Sequence, residues 1–299
     1  MIALNRIALN TSSLSFTLGY KKRINQKKNQ NPVKLNELFI IIKKLKLGGI
    51  EFPYFRFYDN QKTSHEIKKT LINNKLFCII DSDKKISTSQ IKQLIPIAKR
   101  LNSKIIRIKA SDILCSERWK INSGWNKYLN NLVQKLKSLK KILLKNNLKI
   151  AIENHQDLDS FELKYIVEKV GKDVVGINFD IGNSLATCEN PLMFAKRIAP
   201  YIINVHIKDY KLSSSRKGIV LNRCAIGKGD VDFKKTLDFI IKKCPKASYS
   251  VELGALQRRE ILGKEKIFWE NFKYNLPQKK KYFNNLLNKT IKKKNLAKN

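Results

Sequence analysis

The feature that most constrains this chain is an alternation, kept almost to its end, between short apolar runs and longer amphipathic segments. The runs fall at residues 6–10, 49–53, 76–81, 104–109, 149–154, 174–180, 202–209 and 247–253. They are continuously apolar rather than strictly alternating, as strands covered on both faces are. Between them lie amphipathic stretches at 34–47, 87–101, 161–170 and 233–243. The longest, 125–145, spaces Tyr128, Leu129, Leu132, Val133, Leu136, Leu139, Ile142 and Leu143 by threes and fours, which predicts one buried helical stripe. Eight strand-plus-helix units within 299 residues predict an α/β chain folded as a (β/α)8 TIM barrel. A doubly wound open sheet would want a G-x-G-x-x-G after its first strand, and none is present. The barrel is assigned residues 1–277, and 278–299 form a Lys-rich C-terminal tail, read as a last helix or a frayed end.

Composition matters here for what it excludes. A hydrophobic share of 42% and a charged share of 28% are those of a globular chain. No stretch has the roughly 18 consecutive apolar residues of a membrane span, and the N-terminus lacks the unbroken apolar segment of a signal peptide. Cys78, Cys115, Cys188, Cys224 and Cys244 are widely spaced with no C-x-x-C, the pattern of reduced thiols in a cytoplasmic protein. The net charge of +37 would ordinarily suggest nucleic acid or an anionic membrane. Its make-up argues otherwise: 50 of the basic residues are Lys and only 11 Arg, with 29 Asn alongside. Phosphate clamps and base readers favour the bidentate Arg fork, whereas excess Lys, Asn and Ile spread over a whole chain reads as base-composition drift.

Chemistry-bearing residues concentrate in the second half. The fifth to eighth predicted strands end in Glu153 (IAIENH), Asp180 (INFDIGN), His206 (NVHIKD) and Glu252 (SVELG). Strand C-termini of a barrel converge on one mouth, so these four side chains can meet around one ion. Three carboxylates and an imidazole suit Mn²⁺ foremost, then Mg²⁺ or Co²⁺, rather than a structural zinc. His155 and Asn183, just past two of these residues, can reach the pocket to bind substrate hydroxyls or to tie down a loop. Lys208 shares the face of His206 and suits an anionic substrate group, and Asp209 suits orienting His206. Glu51 ends the second strand at the same mouth, as a substrate contact or a salt-bridged carboxylate. The connection 111–124, with Arg118 and Trp119, lies on the face where such loops build active sites.

These motifs resemble the xylose-isomerase-like TIM-barrel superfamily, most closely its bacterial sugar phosphate isomerase/epimerase proteins. The resemblance is strongest over residues 150–261, through IENHQDL, FDIGNSLA, HIKDY and VELGAL. It implies Glu153, Asp180, His206 and Glu252 as ligands of one divalent ion. Resemblance to the ketose epimerases further implies that Glu153 and Glu252 are the catalytic proton-transfer pair. Arg223, four residues before Gly227, stands where those epimerases place a substrate-contacting Arg, although the rest of that loop differs.

The implied activity is isomerisation or epimerisation of a sugar or sugar derivative. The ion would acidify a C–H beside a chelated carbonyl and stabilise the enediolate, and the two glutamates would act as base and acid. A dehydratase of the same architecture, acting on an inosose or a dehydroshikimate-type ketone, is the alternative. The abasic-site endonucleases of the superfamily hold three zinc ions on several histidines. This chain has only His65, His155 and His206, and Asn183 where those enzymes carry a histidine. A small-molecule substrate is therefore expected in place of nucleic acid, with homo-oligomerisation left open.

Overall fold

The computed structural model describes residues 2–19, 29–53, 61–253 and 258–296. Eight parallel strands close into a barrel: β1 (Ile7–Asn10), β2 (Gly49–Pro53), β3 (Phe77–Lys85), β4 (Ile105–Lys109), β5 (Lys149–Glu153), β6 (Val175–Asp180), β7 (Ile202–Ile207) and, after two further strands, β10 (Ser248–Val251). β10 pairs with both β7 and β1, which shuts the ring. Outside run α1 (Leu35–Lys44), α2 (Gln61–Asn73), α3 (Thr88–Arg100), α4 (Trp125–Lys145), α5 (Ser160–Val170), α6 (Pro191–Ile198) and α7 (Phe233–Lys243). The apolar strand runs are explained by this layering, since β6, for example, is buried at every residue. The expected stripe of α4 is buried at Leu129, Leu132, Val133, Leu136, Leu139 and Leu143. Tyr128 instead donates its hydroxyl to the carbonyl of Ala110 at 2.6 Å.

Helix starts beside the barrel mouth are set by local chemistry. The Asp159 carboxylate accepts from the backbone N–H groups of Phe161 and Glu162, and Glu162 accepts in return from that of Asp159. Asn190 caps α6 in the same way, with Pro191 in its first turn.

One feature departs from the sequence expectation. The run 202–209 is not one strand: β7 stops at Ile207, and Asp209 opens β8 (Asp209–Ser214), which pairs antiparallel with β9 (Ile219–Cys224). β9 pairs in turn with β11 (Arg258–Ile261), giving a separate three-stranded sheet. β8 buries Tyr210 and Leu212 and exposes Lys211 and Ser213, the period-two pattern of a sheet with one wet face. The tail takes the last-helix alternative. After the short α8 (Lys266–Trp269), α9 runs from Leu276 to Leu296 and packs on β8, so the 277/278 boundary falls inside a helix. Lys279, Phe283, Leu286 and Thr290, spaced by four, three and four, form its buried edge. Residues 297–299 of the tail lie outside the described residues. Among the described residues no helix is long and apolar enough to cross a membrane.

Candidate metal centre

Parallel register brings the four strand-end residues together. Asp180 and Ser250 each pair in register with His206, and Glu153 pairs with Asn178, two residues before Asp180. With a period of two, Asp180, His206 and Glu252 fall on one face of their strands. One ligand atom from each of Glu153, Asp180, His206 and Glu252 lies within 4.8 Å of the others. The first three are fully buried, and Glu252 is 8% exposed. Ion–ligand bonds near 2.1 Å put opposed ligands about 4.2 Å apart, so the cluster has the size of one hard cation's shell.

The donor atoms fit that reading. Asp180 Oδ2, His206 Nδ1 and Glu252 Oε2 are buried and make no well-directed hydrogen bond. Their charged neighbours stand within ion-pair distance: His206 Nδ1 is 3.0 Å from Glu252 Oε2, and Lys208 Nζ is 2.6 Å from Asp180 Oδ2. Three of the four candidate ligands thus turn toward a common point an atom that is held by charge alone, where each could bind an ion.

The surrounding contacts fix the ligand side chains. Both Glu51 oxygens reach His206 Nε2, at 2.8 and 3.0 Å, so that Nδ1 faces the carboxylates. Asn183 donates from Nδ2 to Glu153 Oε1 at 3.2 Å, and its own Oδ1 accepts from Tyr210 and Gln156. The Asn183 backbone N–H donates to Asp180 Oδ1 at 3.0 Å. Asn154 zips β5 to β6, accepting from the Asp180 N–H and donating to the Asp180 carbonyl. Arg107, in the middle of β4, is buried between Asp81, 2.6 Å away, and Glu153. Arg223 Nη2 donates to Glu252 Oε1 at 2.5 Å, and Lys208 Nζ lies 3.0 Å from Glu252 Oε2.

Electrostatics follow from these contacts. Burial alone would raise the Glu252 carboxyl, but Lys208, Arg223 and His206 hold it well below the usual range. The Glu51 carboxyl is likewise lowered by His206 and Arg107 against the pull of burial. Burial also opposes the His206 imidazolium, yet Glu51 and Glu252 push its pKa up to about 9. His155 goes the other way, kept neutral by burial and by the charges of Arg107, Lys109 and Lys208.

The structure thus brings Glu153, Asp180, His206, Glu252, Lys208 and Arg223 into one cluster, with Asn183 supporting it and His155 half-buried beside it. Glu51, expected as a substrate contact or a salt-bridged carboxylate, is fully buried against His206 and Asn204, which suits orienting the imidazole. One expectation is corrected. Asp209, expected to orient His206, instead accepts from the N–H groups of Tyr210, Gly227 and Gly229 at 2.8 to 2.9 Å. That grip needs both glycines: Gly227 has φ +81°, and a Cβ on Gly229 would lie 2.1 Å from Asp209 Oδ1. Arg118 is also drawn away from the mouth, to Glu162 and the carbonyls of Asp157 and Asn271, while Trp119 is exposed. Arg107 and Tyr210 went unassigned in the sequence. A charge inside the apolar run IIRIK was the available signal for the first.

The chain matches the xylose isomerase-like TIM barrel family over residues 42–265. It is 35% identical over 94 residues to the Escherichia coli protein YihM, a match that spans 31% of this chain and 29% of that protein's length. Among solved structures, an L-ribulose 3-epimerase superposes with TM-score 0.61 at 15% identity, covering 97% of each chain. The probable 3-DHS dehydratase AsbF from Bacillus anthracis also superposes with TM-score 0.61 at 15% identity, over 82% of this chain and 91% of that one. At such identities the likeness is one of fold.

Proposed function

Because the chain belongs to the xylose isomerase-like TIM-barrel family, we propose that it is a divalent-metal-dependent isomerase or epimerase of a sugar or sugar derivative. The observation that carries this reading is the buried Glu153, Asp180, His206 and Glu252 cluster, whose ligand atoms converge within 4.8 Å of one another. These four residues would hold the ion, Mn²⁺ foremost. Once bound, the ion supplies Lewis-acid polarisation of a carbonyl and its neighbouring hydroxyl.

The rest is work for the chain's own side chains. Glu153 and Glu252 are the carboxylates placed to take a proton from carbon and to return one. Asn183 and Arg107 hold Glu153 from two sides, which fixes its direction. Arg223 does the same for Glu252, whose carboxyl the surrounding cations hold well below the usual range. Neutral His155 is suited to hydrogen bonding with substrate hydroxyls. The antiparallel sheet carries Arg223 to the mouth, where it meets Glu252.

One observation favours a second reading. Two cations, Lys208 and Arg223, meet at the single carboxylate Glu252, an arrangement that also suits a carboxylate-bearing ketone and its dehydration. The fold neighbour named as a probable dehydratase is consistent with that chemistry. Incubation of Mn²⁺-loaded protein with candidate ketoses and keto acids in D₂O separates the two. Deuterium uptake without loss of water identifies an isomerase or epimerase, and loss of a water mass identifies a lyase. Full turnover by a Glu153→Gln, Glu252→Gln double variant would overturn both.

A further inference from the structure

Lys208 holds an unusual place in the cluster. It is only 3% exposed, and its ammonium lies 2.6 Å from Asp180 Oδ2 and 3.0 Å from Glu252 Oε2. Both oxygens lack a well-directed hydrogen bond, and both belong to candidate metal ligands. Its main chain is fixed on each side. A Cβ at Gly182 would sit 2.8 Å from the Lys208 carbonyl oxygen, and the next residue, Asp209, is gripped by Gly227 and Gly229. Only the four-carbon side chain is left to move.

The ammonium and a divalent ion would address the same oxygens. An ion bound to Asp180 Oδ2 at about 2.1 Å, with Lys208 unmoved, would lie less than about 5 Å from Nζ. Two like charges that close in a water-poor barrel repel strongly. Arg223, by contrast, pairs with the other oxygen of Glu252, Oε1.

We propose that Lys208 is a resident counter-cation of Asp180 and Glu252 that a divalent ion must displace, so that the ion enters by exchange for the ammonium. This rests on the metal-dependent reading above. In the ion-free protein the ammonium keeps two buried carboxylates compensated and in place. In the loaded protein the side chain is turned out of the centre, still tethered at its rim.

The test is Mn²⁺ affinity of the full chain, measured by competition with a chelating dye, for wild type, Lys208→Met and Arg223→Met. Displacement predicts that Lys208→Met binds Mn²⁺ about tenfold to a hundredfold more tightly, the factor of one charge-assisted contact. Arg223→Met removes the same charge from the same carboxylate and should change affinity by less than about threefold. Equal gains in both variants, or no gain in Lys208→Met, would overturn the exchange while leaving the metal centre standing. Absence of Mn²⁺ binding in wild type would overturn the centre itself. Should Lys208→Met fail to fold, ¹⁵N-lysine NMR of wild type decides the matter. The protected ammonium signal should move on addition of diamagnetic Mg²⁺, and a signal that stays fixed while Mg²⁺ binds overturns displacement.

Discussion

Removing the Glu51 carboxylate should loosen the proposed metal centre without touching any candidate ligand. Glu51 and His206 are both fully buried, and two oxygens 2.8 and 3.0 Å from Nε2 hold the imidazole so that Nδ1 faces Glu252. In Glu51→Ala the Nε2 proton has no acceptor there, and the imidazole is free to take the other tautomer or to rotate. Loss of such a charge-assisted contact costs about 1.5–3 kcal/mol. Loss of a partner behind a metal-binding histidine typically weakens the ion by about 10–100-fold. Glu51→Gln keeps an acceptor and nearly the same volume, so its loss of affinity should be the smaller, about tenfold or less. Isothermal titration with Mn²⁺ at fixed pH reads both variants, and circular dichroism confirms that each is folded. Wild-type affinity in Glu51→Ala would refute the reasoning and return Glu51 to a role in contacting substrate.

Further outcomes follow from the same geometry. His206 has its pKa raised from 6.5 to about 9, first against burial and then by Glu51 and Glu252, so the ion-free fold gains from that proton below pH 6.5 and loses the gain as pH rises through 9. Ion uptake at Nδ1 must expel the proton, so Mn²⁺ affinity should rise with pH up to about 9, and calorimetry in buffers of different ionisation enthalpy should count about one proton released. Lys279 is 1% exposed and lies 3.2 Å from Glu189 and 3.4 Å from Asp159, so Lys279→Met should destabilise the fold by about 3–5 kcal/mol in chemical denaturation. Asp209→Ala should free the Gly227–Gly229 turn behind the sheet that carries Arg223, raising KM while leaving Mn²⁺ stoichiometry unchanged in equilibrium dialysis.

The barrel and its candidate ligands were legible because they depend on one local rule. Parallel strands in a closed ring point their C-termini at one mouth, so a polar residue ending each of four successive strands is informative without any knowledge of contacts. What surrounds the ligands depends on pairings across the ring. Glu51 and His206 are 155 residues apart, and Glu51 could equally have faced substrate until register and side-chain direction were known. Arg107 sits within the apolar run IIRIK, and its inward partners Asp81 and Glu153 come from neighbouring strands, while Lys109 at the strand's end pairs with Asp112 at 3.8 Å. The sheet formed by β8, β9 and β11 was hidden because β8 continues almost directly from an apolar barrel strand, and only the switch to period-two burial separates them. For the tail, expected as a last helix or a frayed end, the sequence left the choice open, and nothing in its run of lysines marked Lys279 as the buried one, its charge compensated by Asp159 and Glu189.

The claim that Glu153, Asp180, His206 and Glu252 form one cation site is tested most directly by counting ions. Wild type and His206→Ala, each dialysed against Mn²⁺ and then buffer, are measured by elemental mass spectrometry. One ion per chain in wild type and nearly none in folded His206→Ala is the predicted result. No ion in wild type, or the same content in both proteins, would contradict it.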